Sequence, residues 1–155
     1  MPTIAIIGGG TGGNLLAARL LEAAADGQRL NVMLVEARGR AGDHLRAVVR
    51  QAERTAPGAF LTRLRGEAGS LEAAPRDGIR VRMRSGRVLD VDGAAVVSGS
   101  VAARALDPET LPPGVHSIPS DALPEELRAP VAEVAALLLE SLAGPATQPP
   151  RATAA

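Results

Sequence analysis

The stretch TIAIIGGGTGGNLLAARLL, Thr3 to Leu21, decides how the rest of this chain is read. Thr3 to Ile7 is short, almost wholly apolar and rich in β-branched residues, as expected of a strand covered on both faces. The run breaks into Gly8-Gly9-Gly10-Thr11-Gly12-Gly13, and a helical pattern follows from Asn14 to about Ala25, stopped by Asp26-Gly27. Leu30 to Val35 is a second buried strand, closed by Glu36. Strand, glycine loop, helix and strand fit within about 36 residues, the size of a βαβ unit.

Within that unit the pattern Gly8-x-Gly10-x-x-Gly13 stands between strand and helix, the context in which it has a mechanical meaning. Gly8 permits the tight turn, Gly10 lets backbone approach a pyrophosphate, and Gly13 lets the helix pack against the strand. The helix N-terminus adds unpaired N–H groups and a partial positive charge. Glu36 lies 23 residues beyond Gly13, where a carboxylate can accept the hydroxyls of an adenosine ribose. This order of parts predicts an α/β fold with a parallel sheet and a dinucleotide as ligand. The alternative is a glycine-rich turn in an α/β domain that binds nothing.

Further along, Asp43 can cap a helix from His44 to about Thr55, ended by Pro57-Gly58. Phe60 to Leu64 and Ser70 to Ala74 read as strands, and Asp77-Gly78 turns the chain into Ile79 to Met83. There Ile79, Val81 and Met83 share one face while Arg80, Arg82 and Arg84 share the other. With Val88 to Val91 these make a β-meander of about residues 59–92, followed by a short buried strand at Ala94 to Val97. Asp107-Pro108, Pro112-Pro113-Gly114 and Pro119 mark an extended loop. A last helix is expected over Pro130 to Leu142, with Pro130 in its first turn. The division that follows is one domain over residues 1–144 and a disordered tail over 145–155.

Composition narrows the chemistry. Of 155 residues 17 are Arg and none Lys, balanced by 17 acidic residues, so bulk attraction to nucleic acid or to an anionic membrane is not expected. The absence of Cys excludes disulfides, thiolate zinc sites, iron–sulfur clusters and a Cys nucleophile. Phe60 is the one aromatic, too few for a base-stacking platform. The N-terminal apolar run lacks a basic leader region, and Val131 to Leu142 is interrupted by Glu133 and Glu140 and too short for a bilayer. A cytoplasmic location is the expectation.

These residues resemble a known group, the FAD/NAD(P)-binding flavoprotein oxidoreductases with two dinucleotide-binding domains. The likeness runs from TIAIIGGGTGGNLLAARLL (3–21) through LNVMLVEARGRAG (30–42), and looks closest to a bacterial FAD/NAD(P)-binding branch with a similar opening segment. A second likeness is DGIRVRMRSGRVLDVDGAAVVSGS (77–100), with Val97-Ser98-Gly99 where Ala-Thr-Gly is usual. The resemblance covers about 100 of the 155 residues. It implies a Rossmann-like FAD/NAD(P)-binding domain, a parallel sheet with helices plus a small β-meander. It further implies that Gly8, Gly10, Thr11, Gly12 and Gly13 hold the pyrophosphate of FAD, that Glu36 holds the ribose, and that Arg38 and the stretch Arg40 to Gly42 lie close by. NAD or NADP are the other cofactors it allows, and hydride transfer is the chemistry if the protein is catalytic. Members of the group carry a long segment between the second strand and the meander, where this chain has about 40 residues. The expectation is therefore an intact adenosine-diphosphate half-site whose redox half is incomplete or supplied by another chain. A non-catalytic, truncated nucleotide-binding domain acting as a partner subunit is the rival reading.

Other chemistry-bearing residues have plainer explanations. Arg80, Arg82 and Arg84 could meet an anion, but a solvated meander face accounts for them. Arg38 and Arg40 could read a 2′-phosphate, which Glu36 would repel, favouring unphosphorylated adenosine. His44 and His116 have no sequence neighbours that complete a triad or a metal set, and Asp90 with Asp92 suit a solvated strand edge. Glu125 and Glu126 suit a helix N-terminus. Leu137, Leu138 and Leu139 with Val134 form an apolar helix surface, expected in the core or at a protein partner or homodimer contact.

Overall fold

The computed structural model describes residues 1–24, 28–37, 43–119 and 122–143. Five strands form a parallel sheet: β1 (Thr3–Ile7), β2 (Leu30–Glu36), β3 (Ala59–Arg65), β7 (Gly93–Ser98) and β8 (Val115–Pro119). Between β3 and β7 the chain makes a separate antiparallel sheet of β4 (Ala68–Ala73), β5 (Ile79–Met83) and β6 (Val88–Val91). The helices are α1 (Gly10–Ala23), α2 (Asp43–Thr55) and α3 (Pro124–Ala143), with short 3₁₀ turns at Val101–Ala103 and Pro108–Thr110.

The parallel sheet has the order β3-β2-β1-β7-β8. From β1 the chain builds outward through β2 and β3, and then returns to the other side of β1 with β7 and β8. This reversal between β1 and β7 is the switch point at which open α/β sheets leave a crevice beyond their C-terminal strand ends. The architecture is the Rossmann-like α/β fold with an added meander.

Alternation along β1 divides the core. Ile4 and Ile6 join Leu16, Leu20, Leu34, Leu127 and Leu138 in a cluster under the three helices. Ala5 and Ile7 join Ile79, Val81, Met83 and Val91 in a second cluster under the meander. The sheet is thus covered on both faces, which explains why its strands read as continuous apolar runs. The meander is tied back to β1 where the Asp92 N–H donates to the Thr3 carbonyl, and the Thr3 N–H to Asp92 Oδ2, both at 2.8 Å. Its outer face carries the cross-strand ion pairs Arg80–Asp90 at 2.8 Å and Arg82–Glu72 at 2.7 Å, and beside the strands Glu67 pairs with Arg84 at 3.3 Å and with Arg104, just after the first 3₁₀ turn, at 3.0 Å.

Three expectations need correction. Residues 59–65 do not begin the meander; β3 pairs in parallel with β2 from Leu30↔Ala59 to Glu36↔Arg65. The helix α2 carries the chain back across the sheet, so the next strand enters beside β2, and the antiparallel sheet starts only at Ala68. The proline-marked loop contains β8, an edge strand in which Ile118 is buried. Its one proline, Pro119, is the last residue, where a missing N–H is tolerated. The last helix starts six residues earlier than expected, at Pro124, and Pro130 lies inside it. Pro124 with Glu125 and Glu126 makes a favourable first turn, and fully buried Leu127 anchors it against the sheet. The stop at Asp26-Gly27 and the tail at 145–155 lie outside the described residues.

Candidate functional site

The glycine loop leaves β1 at the sheet's switch point. Gly8 has φ +127°, and its N–H donates to the Val35 carbonyl at 2.9 Å, which turns the chain up beside β2. A methyl group on Gly13 would strike the carbonyl oxygen of Gly8, so the N-terminus of α1 sits directly on the loop. Gly12 faces the other way, with the Pro119 carbonyl 3.2 Å and Ile118 Cδ1 3.4 Å from where a Cβ would be. Gly10 differs from all of these. It has φ +75°, is exposed, and a Cβ there would meet nothing within 4 Å. Thr11 beside it is half-buried.

Helix α1 is 14 residues long, its N-cap is Gly9, which has no side chain to offer, and its first turn contains no acidic residue. The first N–H groups of a helix have no acceptor within it. Those at Gly10, Thr11 and Gly12 therefore present a partial positive charge beside an open approach at Gly10.

Glu36 ends β2 next to this loop. A Cβ on Gly9 would lie 2.8 Å from Glu36 Cγ and 3.0 Å from Oε1, so only glycine at position 9 lets the carboxylate lean against the loop. Gly9 was not among the residues that the glycine pattern marks. Glu36 is also paired. Arg63 of β3 donates from Nη1 to Glu36 Oε1 at 2.9 Å and from Nη2 to Asn14 Oδ1 at 3.3 Å. Asn14 is fully buried, and its Nδ2 donates to the Gly10 carbonyl at 2.7 Å. One chain of polar contacts thus links β2, β3, α1 and the glycine loop.

Arg63 and Asn14 escape the motif because neither belongs to it. The signal for Arg63 is the βαβαβ order: a strand after α2 lies beside β2 and carries one face toward α1. Leu34 and Arg63 are register partners and share that face with Glu36. On the other side of the switch point, Ser100 Oγ is buried without a hydrogen-bond partner among the described residues. It lies against Gly8, where an added Cβ would collide with it. A buried hydroxyl of this kind is a group that a ligand oxygen could satisfy. An uncapped helix end, an open glycine, a carboxylate and a spare hydroxyl together could hold a ligand that carries an anionic group and hydroxyls.

Of the expected site residues, Gly8, Gly10, Thr11, Gly12, Gly13 and Glu36 gather at this point; Arg38, with Arg40 to Gly42, lies outside the described residues. The remaining candidates disperse. Arg80, Arg82 and Arg84 are held by acids on the meander surface. His44 is exposed on α2 and His116 half-buried on β8, and no cluster of metal-ligating side chains occurs among the described residues. Leu138 is core, whereas Leu137 is 39% exposed. No described helix is long and apolar enough to cross a membrane.

No family model matches the chain, and no curated protein does. Solved structures do. The oxidoreductase from Agrobacterium tumefaciens is 21% identical, over 63% of this chain and 36% of its own, with a TM-score of 0.45. The atypical thioredoxin reductase of Desulfovibrio vulgaris Hildenborough is 20% identical over 66% and 37%, with a TM-score of 0.43. The Diels-Alderase of the pyrroindomycin biosynthetic pathway is 18% identical over 64% and 32%, with a TM-score of 0.44. The matched region spans only about a third of the length of these three chains.

Proposed function

We propose that this chain binds the adenosine-diphosphate half of a dinucleotide at the glycine loop, with FAD as the foremost ligand and NAD or NADP as the others the site would take. The observation that carries the proposal is the open, uncapped N-terminus of α1 at the sheet's switch point, with the Glu36 carboxylate packed on Gly9. In this reading the N–H groups of Gly10, Thr11 and Gly12 hold the pyrophosphate, while Gly8 and Gly13 set the turn that aims them. Glu36 accepts from the ribose, and Arg38 is the further contact that the family resemblance implies. Residues 1–144 would act as one nucleotide-binding domain. If the chain is catalytic, the bound cofactor would supply hydride-transfer chemistry, and the chain would supply position and charge complement.

The test is direct. Purified protein is examined for a flavin spectrum and titrated with FAD by calorimetry. Saturable binding that is weakened at least about tenfold by Glu36→Gln supports the reading. A folded protein that takes up neither FAD, NAD nor NADP overturns it.

A second reading, a non-catalytic partner subunit docked through α3, draws on the exposure of Leu137 (39%). Sedimentation of Leu137→Arg distinguishes it: a fall in mass supports docking, and an unchanged monomer contradicts it. Leu138 cannot serve in that test, because it is fully buried and its loss would disturb the fold itself.

A further inference from the structure

We infer that Arg63 is a positioning residue of the nucleotide site, and that it opens the site to adenosine nucleotides bearing a 2′-phosphate as well as to those without one. The inference rests on the dinucleotide reading above and deepens it. A carboxylate at the end of the second strand, taken alone, repels a 2′-phosphate. Here Glu36 is not alone: Arg63 Nη1 lies 2.9 Å from Oε1. The pair is mostly out of water, with Glu36 16% and Arg63 28% exposed at the side chain, so the neutralisation is only partly screened by solvent.

The geometry has two consequences. Oε1 accepts from Arg63, and among the described residues nothing donates to Oε2, which faces a ribose hydroxyl as the open acceptor. The charge met by a group at the ribose 2′-position is close to zero rather than minus one. Arg63 is held in this pose from a second side, because its Nη2 is fixed by Asn14, itself tied to the Gly10 carbonyl. Guanidinium geometry suits this role, since its donors diverge in a rigid fork.

The probes are NAD and NADP, which differ only in the 2′-phosphate, and the readout is the ratio of their dissociation constants by calorimetry. For the unaltered chain the two constants are expected within about tenfold of each other. Arg63→Met keeps the aliphatic stem but leaves Glu36 uncompensated, and should raise the NADP/NAD ratio by about tenfold or more. Arg63→Lys keeps the charge and should restore most of the original ratio. Glu36→Gln should move the ratio the opposite way, and Arg63→Gln takes the place of Arg63→Met if that variant does not fold by circular dichroism. A purely structural Arg63 would weaken both ligands equally. An unchanged ratio in folded Arg63→Met, or in folded Arg63→Gln where that variant is used, overturns the inference while leaving nucleotide binding intact. Failure of the unaltered chain to bind NAD or NADP while it binds FAD overturns this inference alone; failure to bind any of the three overturns the dinucleotide reading and this inference with it.

Discussion

Gly10 and Gly13 belong to one pattern, yet a side chain at each meets opposite fates. At Gly13 a Cβ would collide with the Gly8 carbonyl, so Gly13→Ala must push α1 away from the loop. A loss of about 3 kcal/mol of stability is expected, visible as a lower Tm. At Gly10 the space is open, and the penalty for Gly10→Val is the left-handed backbone alone, about 1–2 kcal/mol. That variant should stay folded and lose nucleotide affinity by at least tenfold (~1.4 kcal/mol), because the side chain fills the approach to the free N–H groups. Thermal denaturation paired with calorimetry separates the two. Equal loss of stability in both variants would mean that Gly10 serves only the turn. The turn at Gly8 and the close packing at Gly13 were legible from spacing, because each follows from strand–turn–helix geometry, while the role of Gly10 toward a ligand is what the binding test decides. Gly9 was not, since its requirement is set by Glu36, a residue distant in sequence that only the fold brings near.

Among the elements, α3 and the meander carry features whose energetics can be checked. Pro130 lies inside α3 and removes the N–H that would donate to the Glu126 carbonyl. Pro130→Ala should therefore stabilise the protein by about 1–3 kcal/mol, read as a rise in the denaturation midpoint. On β5 and β6, Arg80 donates to both carboxylate oxygens of Asp90, at 2.8 and 3.1 Å. These hydrogen bonds are the chief reason that the Asp90 carboxyl is held below its usual value, against a smaller opposing effect of desolvation. A depressed folded-state value gives stability that is present above the ordinary aspartate range and lost as pH falls through the lowered value. Tm measured from pH 5 down to pH 2 should thus fall less steeply in Asp90→Asn than in the parent chain; parallel curves would remove the pair from the account. Both elements also show where sequence reading stops. The alternation of Ile79, Val81 and Met83 against the arginines identified β5 and its solvated face correctly. The strand β3 was recognised as a strand but placed in the wrong sheet, because alternation reports burial and says nothing of the neighbour. The start of α3 was missed because Pro130 reads as a boundary, and its local cost is outweighed by burial of Leu127, Val131, Val134 and Leu138.

Over the whole molecule, one parallel sheet joins two apolar clusters through neighbouring residues of a single strand. Ile6 faces the helices and Ile7 the meander, both fully buried. Ile6→Ala and Ile7→Ala should each cost about 2–5 kcal/mol and leave a single cooperative unfolding transition. A split transition in either would show that the meander melts independently of the helical layer. The α/β class, the first βαβ unit and the place of Glu36 were readable in the chain, because glycine loops and buried strands are local signals. The Arg63–Glu36 and Arg63–Asn14 contacts were not, because they are made by strand order. The central claim is that the uncapped end of α1, with Glu36 beside it, is where a nucleotide binds. Amide nitrogen–proton correlation spectra of the labelled protein, titrated with ADP, test it at the residues concerned. The account expects saturable shifts greatest at the Gly10, Thr11 and Gly12 amides and extending to Glu36. Saturable shifts centred elsewhere, for example on the hollow lined by Arg76, Gly78, Arg80 and Asp92, or no shifts at all, would contradict it.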